Sequence, residues 1–177
     1  MTFTQHYDSP LGSILLAADE IGLTGLWFDG QKYFARGLSS EQEERELPVL
    51  LEAKRWLDIY FTGKEPDFLP PLHPNGSAFR RSVWEILLQI PYGKTMTYGE
   101  IARRLAEKQK LPRMSAQAVG GAVGHNEISI IIPCHRVVGT NGSLTGYAGG
   151  LDKKVKLLEL EHADMRGFFV PKKGTAR

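Results

Sequence analysis

Four of the ten prolines in this 177-residue chain fall within nine positions, at Pro66, Pro70, Pro71 and Pro74. Proline fixes its own φ and turns the residue before it away from helix, so residues 66–77, PDFLPPLHPNGS, cannot continue a helix or a central strand. The stretch reads as an extended linker, dividing the chain into residues 1–75 and residues 78–177. Charge divides at the same place. Residues 1–75 carry 6 Lys and Arg against 12 Asp and Glu, a net of −6, and residues 76–177 carry 16 against 8, a net of +8. A basic half points to a polyanionic partner and brings nucleic acid into consideration. Other classes drop out. No apolar run reaches the roughly 18 residues of a membrane span. The start, MTFTQHYDSP, lacks the basic-then-apolar form of a secretory signal, so a cytoplasmic protein with no membrane partner is expected. The one cysteine, Cys134, leaves no internal disulfide framework and no multi-cysteine zinc site.

Before the linker, FTQHYDS, GSILLAA and GLTGLWF predict short strands joined by Ser-Pro and Gly turns. The apolar spacing of Leu50, Ala53, Leu57 and Tyr60 predicts a helix over Glu41–Phe61. No chemistry is evident there, and a structural or positioning unit is expected. After the linker, Phe79, Val83, Ile86, Leu87 and Ile90 mark a helix that Pro91-Tyr92-Gly93 ends. Thr97-Tyr98-Gly99-Glu100 has the form of a capping box. It opens a helix whose Ile101, Ala102, Leu105 and Ala106 face inward. A basic break, KQKLPR, separates it from a small-residue helix that Ser115 caps, and the pair resembles a helix-turn-helix. ISIIIPCHRVVG then reads as a strand-type apolar run ending at Pro133 and Cys134. Residues 139–150, with five glycines in twelve, read as a functional loop. A last helix is predicted over Asp152–His162, and the tail PKKGTAR is expected to fray.

Cys134 is the candidate nucleophile. Thiolate is the attacking species, so the sulfur has to be held ionised in a dry cavity and needs a base. His135 is adjacent, but neighbours on a strand point to opposite faces, so the chain must turn at Pro133-Cys134 for the imidazole to serve the sulfur. A carboxylate holding the imidazole would complete the relay, and Glu161 is a candidate. The other reading of these residues is a buried inert cysteine beside a solvent-facing histidine.

Pro133-Cys134-His135-Arg136-Val137, preceded by Ile130-Ile131-Ile132, resembles the active-site signature of the O6-alkylguanine-DNA alkyltransferases, the methylated-DNA–protein-cysteine methyltransferases. Asn126, eight residues before the cysteine, matches that family's hinge asparagine. Tyr147-Ala148-Gly149-Gly150-Leu151 resembles its substrate-pocket loop, Glu161 falls at the spacing of its His-partner glutamate, and Tyr98 matches the tyrosine opening its helix-turn-helix. The resemblance covers residues 79–162. It implies an α+β fold, with a small strand-rich, ribonuclease H-like N-terminal domain followed by a mostly helical C-terminal domain carrying a helix-turn-helix. It further implies a monomeric, single-turnover enzyme on double-stranded DNA, bound through the minor groove with little sequence preference. The O6-alkylguanine, and with it O4-alkylthymine, would be flipped out and its alkyl group moved irreversibly to Cys134. By the same resemblance His135 takes the thiol proton through a water, Glu161 orients His135, Asn126 serves as hinge, and Tyr98 assists rotation and gives guanine N3 its proton. Val137, Tyr147, Ala148 and Gly149 would line the pocket, and Arg113, Ser115, Gln117, Ala118, Gly121 and Arg136 would meet DNA.

Three departures stand out. Gln117 replaces the arginine that fills the gap left by the flipped base, Glu127 replaces the proline after the hinge and brings a negative charge towards the expected DNA face, and Ala148 replaces a pocket serine. Residues 1–75 hold only His6 and His73 and no cysteine, so the zinc of some relatives is not expected. With no G-x-G-x-x-G or phosphate-loop string, neither is a cofactor. Three rival functions stay on the page: a damage sensor, which would lack the cysteine; a thiol hydrolase, which would need an oxyanion hole and show turnover; and a transcription regulator, which would carry an added adaptor domain.

Overall fold

A computed structural model describes residues 1–36 and 38–171; the tail expected to fray lies, from residue 172 on, outside the described residues. The chain forms two compact units, one of Met1–Asn75 with Glu127–Ser129, the other of Gly76–Asn126 with the chain from Ile130 onward.

In the first unit β1 (Thr2–Ser9), β2 (Gly12–Ala18) and β3 (Leu23–Phe28) form antiparallel neighbours, and β4 (Gln42–Glu44) adds to β1 in parallel, giving the order β3-β2-β1-β4. The first hairpin needs only Pro10-Leu11 as its turn, and Ser9 Oγ fixes it by accepting from Leu11 N–H at 3.1 Å. The second is held by Asp19, whose Oδ1 accepts from the N–H groups of Ile21 and Gly22 at 2.9 and 3.0 Å. Side chains alternate across β2, so Leu15 and Ala17 cluster with Trp27 on one face under Ala35 and Leu38, while Ile14 and Leu16 are buried on the other. Gly25 is obligatory here, because a Cβ would fall within 2.0 Å of the Trp27 ring. α1 (Pro48–Tyr60) packs on the sheet and buries Leu50, Ala53, Trp56, Leu57 and Tyr60.

One expectation is corrected in this unit. The helix does not start at Glu41. Residues 42–44 are taken by the sheet, and Pro48 opens the helix because its missing N–H is harmless only in the first turn. The proline-rich stretch is tied to the sheet: Leu23 N–H donates to Pro71 O at 2.8 Å and His73 N–H to Leu23 O at 2.7 Å, so backbone pairing holds it against β3.

The second unit gathers α2 (Ala78–Leu87), α3 (Tyr98–Lys108) and α4 (Ala116–Gly124) into one cluster. Each starts on a side-chain cap: Ser77 Oγ accepts from Arg80 N–H, Thr97 and Glu100 form the expected capping box, and Ser115 Oγ accepts from Ala118 N–H. Trp84 Nε1 donates to Ala122 O at 2.8 Å, tying α2 to α4. β5 (Met96–Thr97) pairs in parallel with β6 (Val137–Val138), and α5 (Leu151–Leu160) follows the glycine-rich loop. The apolar run before the cysteine is not a strand. Residues 127–129 pair with Leu26 in the first unit, and Ile130 takes φ 68°, a left-handed turn that no continuous strand accommodates. No described helix is long and apolar enough to cross a membrane.

Candidate active site

The turn that Cys134 requires is present. Cys134–Arg136 form a single 3-10 turn, in which Arg136 N–H donates to Pro133 O at 3.0 Å, so successive side chains fan round the turn. Cys134 is 5% exposed and His135 is fully buried. Asn126, just past the end of α4, sends Nδ2 to Ile132 O at 2.9 Å and to Cys134 Sγ at 3.2 Å, fixing the peptide before the cysteine and touching the sulfur itself.

Glu161, the C-cap of α5, lies under this turn. Its Oε2 accepts from His135 Nε2 at 2.6 Å and from Arg136 Nη2 at 3.0 Å; its Oε1 accepts from Arg136 Nε at 2.8 Å and from Gly93 N–H at 3.1 Å. Gly93 has φ 76°, and a Cβ there would meet Glu161 O at 2.9 Å, so only glycine lets the 91–93 turn approach so closely. An acceptor-only carboxylate on Nε2 places the imidazole proton on that nitrogen, so Nδ1 is the basic one. Nδ1 is buried with no protein partner among the described residues.

Electrostatics follow from this geometry. Burial pushes the Cys134 thiol up, against the Asn126 hydrogen bond, the charge of Lys154 and the N–H groups of Cys134 and His135, all of which favour thiolate. Burial outweighs these groups and holds the thiol above its ordinary range, against the expectation of a sulfur held ionised. Burial likewise lowers His135; Glu161 opposes this, and the charges of Arg136 and Lys154 reinforce it. Glu161 is desolvated too, which alone would raise it, yet its bonds to His135 and Arg136 hold the carboxyl well below the usual range. Tyr98 is raised by burial, so its hydroxyl stays a donor, bonded to Thr145 O at 3.4 Å.

The structure brings most of the other expected residues to this centre. Tyr147 sets its ring edge-on to His135, with centroids 6.4 Å apart; Val137 is buried, and Ala148 and Gly149 are half-buried on the loop leading into α5. Gln117, Ala118 and Gly121 are exposed on α4, with Ser115 and Arg113 exposed just before it. One placement differs from expectation. Arg136 is no surface contact for DNA, because its guanidinium is buried on Glu161 and on Ile90 O, 2.7 Å from Nη1. The half-buried Glu127 carboxylate accepts from Trp27 Nε1 at 2.7 Å. One residue escaped the sequence reading. Lys154 is fully buried, and its Nζ donates to Val137 O and Thr145 O, both at 2.6 Å, joining β6 to the glycine-rich loop. Burial lowers it to about 8. The available signal was a lysine at the core-facing spacing of Leu151 and Leu158.

Known proteins are similar to this chain along most of its length. The family model described as 6-O-methylguanine DNA methyltransferase, DNA binding domain, matches residues 78–163. A second, the ribonuclease-like domain of the same methyltransferases, matches residues 3–74. The methylated-DNA–protein-cysteine methyltransferase of Methanosarcina acetivorans is 46% identical over 155 residues, 88% of this chain and 95% of its own. The chain belongs to this family. A further methylated-DNA–protein-cysteine methyltransferase, from Haemophilus influenzae, is 41% identical, covering 88% of this chain and 84% of that one. Among solved methyltransferases, the Mycobacterium tuberculosis OGT in complex with DNA aligns with a TM-score of 0.77 at 40% identity, over 90% of this chain and 92% of that one. The two-domain α+β methyltransferase fold, with a strand-rich ribonuclease-like first domain and a helical second, is thus shared.

Proposed function

We propose that this methyltransferase repairs DNA by direct reversal, moving the alkyl group of O6-alkylguanine to Cys134 once and irreversibly. The observation that carries the reading is the buried Asn126–Cys134 contact set beside the His135–Glu161 pair. In the reaction His135 Nδ1 takes the thiol proton through a bridging water, and Glu161 and Asn126 hold the parts in line. The sulfur attacks the alkyl carbon; the S–C bond forms as the C–O6 bond breaks. The electron pair passes to the purine, which takes a proton at N3 from the Tyr98 hydroxyl. A sulfur buried this deeply cannot reach O6 in stacked DNA, so the base has to be everted. Val137, Tyr147, Ala148 and Gly149 receive it.

α3 and α4 act as a helix-turn-helix, with Gln117, Ala118 and Gly121 towards the minor groove and Arg113 and Ser115 at the start of α4. Contacts to the backbone rather than to base edges give little sequence preference and an affinity that falls with salt. The protein works as a monomer, and a nucleophile that must stay reduced places it in the cytoplasm.

The test is to incubate the protein with a duplex bearing O6-methylguanine and weigh both products. The peptide containing Cys134 is expected to gain about 14 Da, one methyl in place of a proton, up to about one equivalent, with unmodified guanine left in the DNA. Turnover beyond one equivalent defeats the reading. Gln117, exposed on α4, holds the gap without a charge, so Gln117→Arg should tighten binding to the lesion duplex by about 1 kcal/mol, roughly fivefold in Kd by fluorescence anisotropy. Equal or weaker binding removes this account of the glutamine.

A further inference from the structure

Arg136 stands next to the relay yet touches neither sulfur nor imidazole. Its guanidinium lies along Glu161, with Nε to Oε1 at 2.8 Å and Nη2 to Oε2 at 3.0 Å, while Nη1 donates to Ile90 O at 2.7 Å and the group sits 5.8 Å from the Tyr92 ring centroid. Each of the three guanidinium nitrogens donates one hydrogen bond, and the group is buried. A two-point fork on a desolvated carboxylate fixes position and also cancels charge.

The cancellation matters because of what Glu161 does to His135. A lone buried carboxylate 2.6 Å from Nε2 favours imidazolium, and imidazolium has no lone pair with which to take a thiol proton. Glu161 is needed to orient the ring, but unopposed it would fill the base it orients. We propose that Arg136 is the positioning residue that resolves this conflict, holding Glu161 in place and balancing its charge so that His135 rests as a neutral base. The inference rests on the repair reading above and adds a charge-setting member to its relay. The groups facing His135 are Glu161 at the end of α5, Lys154 within α5, Arg136 and Cys134 on its own turn, and Tyr147 from the loop. Glu161 is the only anion among them, and the two cations and the loss of water act against it.

The experiment reads single-turnover methyl transfer against pH for the wild type, Arg136→Met and Arg136→Lys, and follows the His135 ring by NMR in the DNA-free proteins. In the wild type the ring is expected to stay neutral through the range in which a free imidazole takes up its proton. Removing the charge leaves Glu161 unopposed, so the His135–Glu161 pair takes up its proton at higher pH; since the neutral ring is the active form, the acid limb of the rate profile moves up by roughly one pH unit in Arg136→Met. Arg136→Lys keeps the charge and holds its midpoint near the wild type's. A rate midpoint and ring titration unmoved in Arg136→Met overturn the inference, as does a wild-type ring already charged at about pH 7. The wild-type measurement needs no variant to fold. The DNA-free titration decides on Arg136 even where no methyl moves, which would count against the repair reading alone.

Discussion

Cys134→Ser is expected to fold, to bind lesion-bearing duplex, and to transfer no methyl group. The substitution changes one atom in a site where Asn126 Nδ2 lies 3.2 Å from the sulfur, and a hydroxyl accepts from that amide at least as well as a thiol. Reactivity is another matter. On the proposed mechanism even the buried thiol must be deprotonated by His135 before it attacks, and a hydroxyl is far harder to ionise in the same dry setting. Transfer should fall at least about a thousandfold, to background. The measurement is the mass of the peptide spanning residue 134 after prolonged incubation, alongside anisotropy for binding. A methylated Cys134→Ser protein would place the acceptor elsewhere, and a variant that neither folds nor binds would mean the sulfur has a structural role that its contacts do not show.

The largest effect on stability is expected from Glu161→Gln. Four donors converge on this carboxylate, from His135, Gly93 and two nitrogens of Arg136, and the group is 2% exposed. The amide fills the same space but turns an N–H2 towards a guanidinium and leaves that buried cation without its anion. Breaking a buried pair in this way costs about 3–5 kcal/mol, or roughly 10 °C in Tm for a chain of this size. The pH dependence has a definite sign. Glu161 is held below its unfolded value, so the stability it contributes is complete above about pH 4.3 and is lost as pH falls through the lower folded value. The gap between wild type and variant should therefore hold from neutrality to about pH 4.3 and close only in stronger acid, as thermal melts across that range would show. Methyl transfer should fall by about a hundredfold or more as well, because the imidazole loses its orienting acceptor. An unchanged Tm would mean that the observed convergence contributes nothing.

Much of this was legible before the structure. Strands β1 to β3 follow from alternation and turn residues, and the caps of α3 and α4 follow from Thr97, Glu100 and Ser115, because both signals are local. What sequence could not show is non-local. The acidic stretch before Pro48 has helical propensity, but β1 had an open edge to offer it, and pairing prevailed. The run around Ile130 has strand composition, yet the chain leaves the first unit there through a left-handed residue, a conformation that composition opposes. Arg136 sits in a basic half beside a catalytic motif, which suggested the surface; its partner lies 25 residues ahead, and only the fold brings Glu161 under it. Lys154 is hidden for the opposite reason: lysine is so rarely buried that its place on an apolar stripe gives little sign of burial.

The four-stranded sheet ends on both sides in ways that discourage unwanted growth. Outside β3, the backbone of residues 71–73 and 127–129 already occupies the free hydrogen-bonding groups near Leu23 and Leu26. The opposite border is β4, three residues long, exposed, and composed of Gln42, Glu43 and Glu44. An incoming strand from another molecule would find one margin taken and the other too short and too negative to serve as a template, which protects a protein with an apolar β2 from fibrillar aggregation.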